Sequence, residues 1–323
     1  MPSLAGHRAR LSYLWEDDGF ASAPTDDDHK PFGADATLDT LQGTNNAVEV
    51  FQPNSREAAE IIEQNFQGSW SVSFTLTNPW WLAAVISSAS TAGSTETYTH
   101  TYDGDIPNTM QLVQGTEQVG SERILKGCIV TSAEISTQVG GMVEVSLDGA
   151  YADEELLEGA NLVEQPVIQY RPLHFGHATL KEIRPSTDTT YSLVQNVSVS
   201  IENNVDLIQE IGTRTAVDYS PKIRSTSLSW SDITEDDSEL KDMYGGNTSV
   251  QETVENTSDV TVLFDNRKSG ADKNTLQIDL DGVFQNEYGR SGVGDPEADL
   301  QGSMTGMTVG VTVTAENDQA EAR

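Results

Sequence analysis

The chain has 323 residues, 51 of them acidic and 18 basic, for a net charge of −33. That balance argues against tight nucleic-acid binding, whose affinity comes from Lys and Arg on phosphates. It reads first as adaptation to a salty medium, where repulsion within a compact fold is screened over about 3 Å at ~1 M salt. The single cysteine, Cys128, leaves no disulfide framework and no Cys-based metal site.

Apolar residues make up 36% of the chain and alternate clearly, so it is expected to fold and not to remain a disordered acidic polymer. Residues 1–40 are polar and punctuated by Gly and Pro, and read as an N-terminal arm. Their apolar run LSYLW falls short of the roughly 7–15 residues of a signal peptide, and nothing in the chain approaches the ~18 apolar residues of a membrane span. A soluble chain without a cleaved signal is expected.

SREAAEIIEQ (55–64) favours a helix by propensity. Its later counterpart TRTAVDYSPK contains Pro221 and β-branched residues, so both are read as extended. WSVSFTL (70–76) alternates as a strand and leads into NPWWLAAVISSA, where a helix is expected over 80–89 with Asn78 as its N-cap and Pro79 in its first turn. Trp80 and Trp81 cannot both face one core line. One is assigned to the core and the other to an interface, where Trp is enriched, with packing of both in the core as the alternative.

TYTHTY (97–102), TMQLVQ (109–114) and MVEVSLDGAY (142–151) are strands, and Cys128 in LKGCIVTS is a small buried hydrophobe on another. After a connector at 166–192 come NVSVSIENN (196–204), STSLSWS (225–231), VTVLF (260–264) and MTVGVTVTA (307–315), again alternating. A second helix is expected in DDSELKDMYGG (236–246), with acidic residues in its first turn and Gly245-Gly246 at its end.

The two halves match in order. TMQLVQ lies on TLQIDL at an offset of 166 (275 − 109), pairing Leu112 with Ile278. SWSVSF lies on SLSWSD at 158 (227 − 69), which also pairs Arg56 with Arg214 and Leu82 with Leu240. Collinear matches of this kind mark a duplication. The expected units are a first repeat at 41–165, the connector 166–192, a second repeat at 193–316 and a tail at 317–323.

Reactive chemistry is sparse. His174 and His177 in HFGH have a spacing that could hold a metal, but no further ligand stands beside them; the other reading packs them against Phe175. DLDG (279–282) lacks the remaining ligands of a calcium loop. Asp236-Asp237 is an adjacent acidic pair of the sort expected by chance among so many carboxylates. No catalytic, cofactor-binding or metal residue is assigned.

In order, NSREAAEII, SWSVSFTLTNPWWLAAVI, TYTHTYDGDIPNTMQLVQG and LKGCIVTSAEISTQVGGMVEVSLDGAYADEE resemble the tail tube (major tail) proteins of siphovirus-like tailed viruses, over about residues 10–316. With the acidity, the resemblance points to a haloarchaeal virus. It implies a mainly β fold made of tandemly duplicated β-sandwich domains, each with a short flanking α-helix, whose inner sheets join between subunits into one β-barrel. It implies a virion structural protein, not an enzyme, without cofactors and assembled in the host cytoplasm.

Its expected partners are itself, as stacked homotrimeric rings with pseudo-six-fold symmetry or alternatively homohexamers, the tape measure protein, and the neck, terminator and distal tail proteins. DNA would pass through at ejection without specific binding. The Gly-rich stretches STQVGGM and GSMTGM are read as hairpins of the interface or lumen, through Gln138, Val139, Gly140 and Gly141, and Ser303, Met304, Thr305 and Gly306. Two rival readings are an extracellular surface-layer or adhesin β-module of a halophile, and a β-sandwich glycosidase with two carboxylates about 5–9.5 Å apart.

Overall fold

Period-two alternation puts apolar side chains on one face of a strand and polar ones on the other, and it carries most of this chain into strands. The computed structural model describes residues 9–321 apart from 17, 25–27, 54–55, 95–96, 117–119, 160–165, 169, 185–186, 247, 253–257 and 296–297. Ser55, the expected end of the first repeat at 165, and part of the connector thus lie outside the described residues.

The first half runs β1 (Ala9–Trp15), β2 (Ala34–Phe51), β3 (Ala58–Thr75), α1 (Leu82–Val85), β4 (Ser90–Ser94), β5 (Thr97–Tyr102), β6 (Met110–Thr116), β7 (Ser121–Gln138), β8 (Glu144–Tyr151) and β9 (Asp153–Glu158). A 3-10 turn at Phe175–His177 precedes the second half. It runs β10 (Ala178–Arg184), β11 (Thr187–Thr190), β12 (Val194–Glu202), β13 (Asp206–Ile208), β14 (Asp218–Ser220), β15 (Ser225–Ile233), α2 (Ser238–Met243), β16 (Ser258–Asp265), β17 (Thr275–Ser291), β18 (Gln301–Met307) and β19 (Gly310–Asn317).

One pattern of antiparallel ladders occurs in both halves. In the first, β1 pairs with β6, β6 with β7 and β7 with β9, while the end of β7 crosses into a second sheet ordered β2–β3–β8–β7. In the second, β10 pairs with β16, β16 with β17 and β17 with β19, and the end of β17 crosses into β12–β15–β18–β17. Each crossing strand carries a bulge against its partner, at Thr131 on β7 and at Asn286 on β17. A bulge bends its strand and tightens the local twist, which suits a strand that serves two sheets.

The halves join edge to edge. β7 pairs with β12, so the two four-stranded units form one eight-stranded sheet, β2–β3–β8–β7–β12–β15–β18–β17. On the other layer β5 pairs with β19. A continuous apolar core lies between the layers and takes in Tyr13, Trp70, Trp81, Leu112, Ile135 and Leu147 from the first half and Leu228, Trp230, Val262, Ile278 and Val313 from the second.

Several expectations give way here. Residues 9–15, assigned to the arm, form β1, and Tyr13 is fully buried against Phe32 with ring centroids 4.7 Å apart. Residues 178–184 and 187–190, assigned to the connector, form β10 and β11. Leu112 lies on β6 and Ile278 on β17, and these strands hold different places in the shared ladder pattern, where β6 answers to β16 and β7 to β17. Short alternating segments are too alike for a match of six residues to tell one strand of a sheet from the next. Leu82 and Leu240 do lie on α1 and α2.

Both helices are shorter than expected. Asn78 accepts from the Trp80 amide (3.3 Å) and shapes the turn before α1, whose N-cap is Trp81. Gly245 and Gly246 end α2 at positive φ, +89° and +80°, as glycine allows. SREAAEIIEQ is extended, as expected, from Ala58 onward.

Glu16, just after β1, is 8% exposed, and it accepts from the amides of Gly127 (2.8 Å) and Ala21 (3.0 Å). Burial pushes its carboxyl up to about 7 from 4.5, outweighing these hydrogen bonds. A carboxyl raised by folding holds its proton more tightly in the native state. Its stability contribution is therefore whole below pH 4.5 and is lost as pH rises through about 7. Between those values the wild-type stability is expected to fall more steeply than that of Glu16→Gln, by up to roughly 3 kcal/mol. Parallel pH curves in denaturant titrations would show that Glu16 titrates as an exposed carboxylate does.

Candidate assembly surface

The eight-stranded sheet has one face on the core and one open. Along β3 the core side carries Trp70, Val72 and Phe74, and the open side Ser69, Ser71 and Ser73. β12 repeats this with Val197, Val199 and Ile201 inward and Ser198 and Ser200 outward, and β15 with Leu228 and Trp230 inward and Ser227, Ser229 and Ser231 outward.

The open face is thus a field of short hydroxyls crossed by a few carboxylates. Ser198 donates to Glu134 (2.7 Å), Ser132 donates to Asp148 (3.1 Å), and Asn196 donates to Ser231 (2.6 Å). Following the ladder registers, the open positions of all eight strands include Glu134, Glu144, Asp148, Glu202 and Glu287 but no Lys or Arg.

The sheet ends on two edges. Among the described residues β2 pairs only with β3, and the end of β17 beyond its bulge pairs only with β18. Unpaired edges of this length are templates for another strand. β2 also runs on with β3 as a projecting hairpin whose outer part exposes Val48, Val50, Phe51, Ile61 and Ile62.

The sequence-assigned residues fall unevenly on this surface. Gln138 ends β7 and faces the open side, and Val139–Gly141 turn the chain toward β8, with Gly140 at φ +85°. Ser303–Gly306 do not turn the chain. They lie inside β18, paired on both sides with β15 and β17, with Ser303 and Thr305 on the open face and Met304 and Gly306 buried. A Cβ on Gly306 would stand 2.7 Å from the Val283 side chain, so this glycine serves a close approach and not a turn.

Trp80 (5% exposed) and Trp81 (0%), assigned as candidate interface aromatics, are both buried within the single chain. His174 and His177 stack with ring centroids 3.9 Å apart, His174 also meets Phe175 at 5.8 Å, and burial pushes the His177 imidazole below its usual range. No group of three metal-ligating side chains occurs among the described residues. Asp236 accepts from the Ser238 amide (2.7 Å) and Asp237 from Arg290 (2.5 Å), so both serve the entry to α2. No helix among the described residues is long and apolar enough to cross a membrane.

Sequence reasoning missed the joint between the halves. Besides the β7–β12 ladder, the joint is held by buried Asn203, which donates to the carbonyls of Val85 (2.8 Å) and Val130 (3.2 Å), and by Arg224, whose Nε donates to Asn203 Oδ1 (3.1 Å). Arg224 also donates to the carbonyls of Gly104 and Ile86, each at 3.0 Å. The signal was present as a repeated dipeptide, Asn45-Asn46 and Asn203-Asn204, at the same offset of 158 (203 − 45) as Arg56 and Arg214.

No curated protein matches the chain. The phage tail tube protein family model matches residues 6–315, from before β1 to within β19 and across both halves, and the chain belongs to that family.

Proposed function

We propose that three copies of this chain close a ring and that stacked rings form the tail tube of a siphovirus-like virion. As a member of a tail tube family the chain is a structural virion component that assembles with copies of itself and with other tail proteins. The observation that carries the finer reading is the eight-stranded sheet, with two free edges and an open face of serines and carboxylates without a cation.

A barrel has no edges. Three such sheets would supply 24 strands (3 × 8), and at a spacing of ~4.8 Å and a tilt of ~40° the barrel is about 48 Å across at the backbone. Short side chains then leave a wide bore. Such a bore would hold a tape measure protein and later pass DNA, and a wall without Lys or Arg offers phosphates nothing to hold. Neck, terminator and distal tail proteins would meet the two ends of the stack.

The shared ladder pattern supports a duplication whose copies are residues 9–158 and 178–317, wider than the sequence matches alone suggest. Each copy then stands for one of six lobes around the axis. Electron microscopy of the purified protein at molar KCl is expected to show rings of three chains with six similar lobes. Six whole chains per ring would refute the trimer, and the absence of rings and tubes would refute the tube reading itself.

A further inference from the structure

We propose that Asn45 is a preset polar clasp for a second copy of this chain, gripping the bulge of the neighbour's β17 and the end of its α2. This rests on the ring reading above.

The joint inside the chain sets the pattern. At the end of β12 the Asn203 amide donates to the carbonyl of Thr131, the bulged residue of β7 (2.8 Å). Its side-chain amide donates to Val130, just before the bulge, and to Val85, the last residue of α1, while its carbonyl oxygen accepts from Arg224. One asparagine thus senses a strand bulge and a helix end together.

The ladder registers give its counterpart. Ser198 stands opposite Ser229 and Ser229 opposite Thr305; in the first half Thr40 stands opposite Ser71 and Ser71 opposite Asp148. Asp148 and Thr305 each pair with the first residue after the bulge, Ser132 and Glu287. Thr40 therefore answers to Ser198, and five residues on, Asn45 answers to Asn203.

Asn45 is exposed on the free edge of β2. Its carbonyl oxygen already accepts from an arginine, Arg214 Nη2 at 2.9 Å, as that of Asn203 does from Arg224. Its side-chain amide has no partner among the described residues. The surface it would grip is also in place. β17 has its bulge at Asn286, preceded by Gln285, and α2 packs on β17 and ends at Met243 as α1 packs on β7 and ends at Val85.

Transferring the internal joint to the open edges gives the contacts. The Asn45 amide donates to the neighbour's Asn286 carbonyl, and the Asn45 side chain donates to the carbonyls of Gln285 and Met243. In the ladder beside it Thr44 stands opposite Glu287 and Gln42 opposite Gly289, as Glu202 stands opposite Ser132 and Ser200 opposite Glu134.

The test pairs Thr44→Cys with Glu287→Cys in one chain. Opposite residues of an antiparallel pair have Cβ atoms about 4.5–5.5 Å apart, near disulfide reach, and native Cys128 is buried. Oxidation at molar KCl is expected to give covalent trimers, while the internal control Ser132→Cys with Glu202→Cys gives only a closed monomer. Separately, Asn45→Ala is expected to raise the protein concentration needed for rings about tenfold, as for one or two lost hydrogen bonds. Asn46→Ala, which among the described residues removes a bond to Asn65 within the hairpin, leaves that concentration unchanged.

Wild-type rings that neither crosslink at 44/287 nor respond to Asn45→Ala would overturn the clasp and leave the tube standing. If the wild type forms no ring at all, both fall. Should Asn45→Ala misfold by circular dichroism, the crosslink decides, since it keeps Asn45.

Discussion

Diluting assembled rings from molar KCl toward ~0.1 M salt is expected to release separate chains. Each chain carries −33, so a ring of three carries −99 (3 × 33). Two unit charges 10 Å apart in water repel by about 0.4 kcal/mol before screening. At ~0.1 M salt the screening length is about 10 Å, comparable to distances across a joint, and at ~1 M it is about 3 Å. Tens of such pairs would outweigh a few backbone hydrogen bonds, each worth ~1 kcal/mol net.

The chain cannot neutralise this charge itself, because 51 acidic residues face only 18 basic ones, several of them held in local pairs such as Arg123–Glu154, Lys126–Glu155 and Lys181–Asp188. Light scattering should fall on dilution and recover when salt is restored. Assemblies that persist unchanged at 0.1 M would show that the joints tolerate the full charge.

Replacing Trp81 by alanine is expected to cost about 3–5 kcal/mol, the usual range for a buried Trp, out of a total that is typically ~5–15 kcal/mol. Trp81 is fully buried, meets Phe74 edge to face at 5.6 Å, and donates from Nε1 to the Asn78 carbonyl at 2.9 Å. Its neighbour Trp80 has a buried Nε1 without a partner among the described residues and one face under the Lys30 ammonium at 5.5 Å. Trp80→Ala is therefore expected to cost clearly less. Denaturant midpoints of the two variants, taken on separated chains, give the comparison. Equal losses would mean that the hydrogen bond and ring contact of Trp81 contribute nothing beyond area.

Local chemistry in this chain was legible and pairing was not. Alternation marks β3, β8, β12 and β15, and the glycine pair at 245–246 marks the end of α2, because these are properties of a few adjacent residues. The role of LSYLW was hidden because a strand of seven residues between polar segments looks like a loop until its partner β6 is known. Gly302 and Gly306 read as turn residues because sequence cannot separate a glycine needed for positive φ from one needed for a close neighbour, here Asp232 and Val283. The serine face was visible strand by strand, but its extent depends on the β7–β12 ladder between residues about 60 apart in sequence.

That ladder also bears on how assembly depends on protein concentration. In a three-chain ring, half of the six joints between lobes would be made within a chain, at an effective concentration set by the tether between β9 and β10 and not by the amount of protein in solution. At equilibrium the ring population would then scale with the third power of the free-chain concentration, where six single-lobe subunits would make it the sixth. It falls off far less steeply when protein is scarce, and every subunit reaches the ring with one of its two kinds of joint already formed in the correct register.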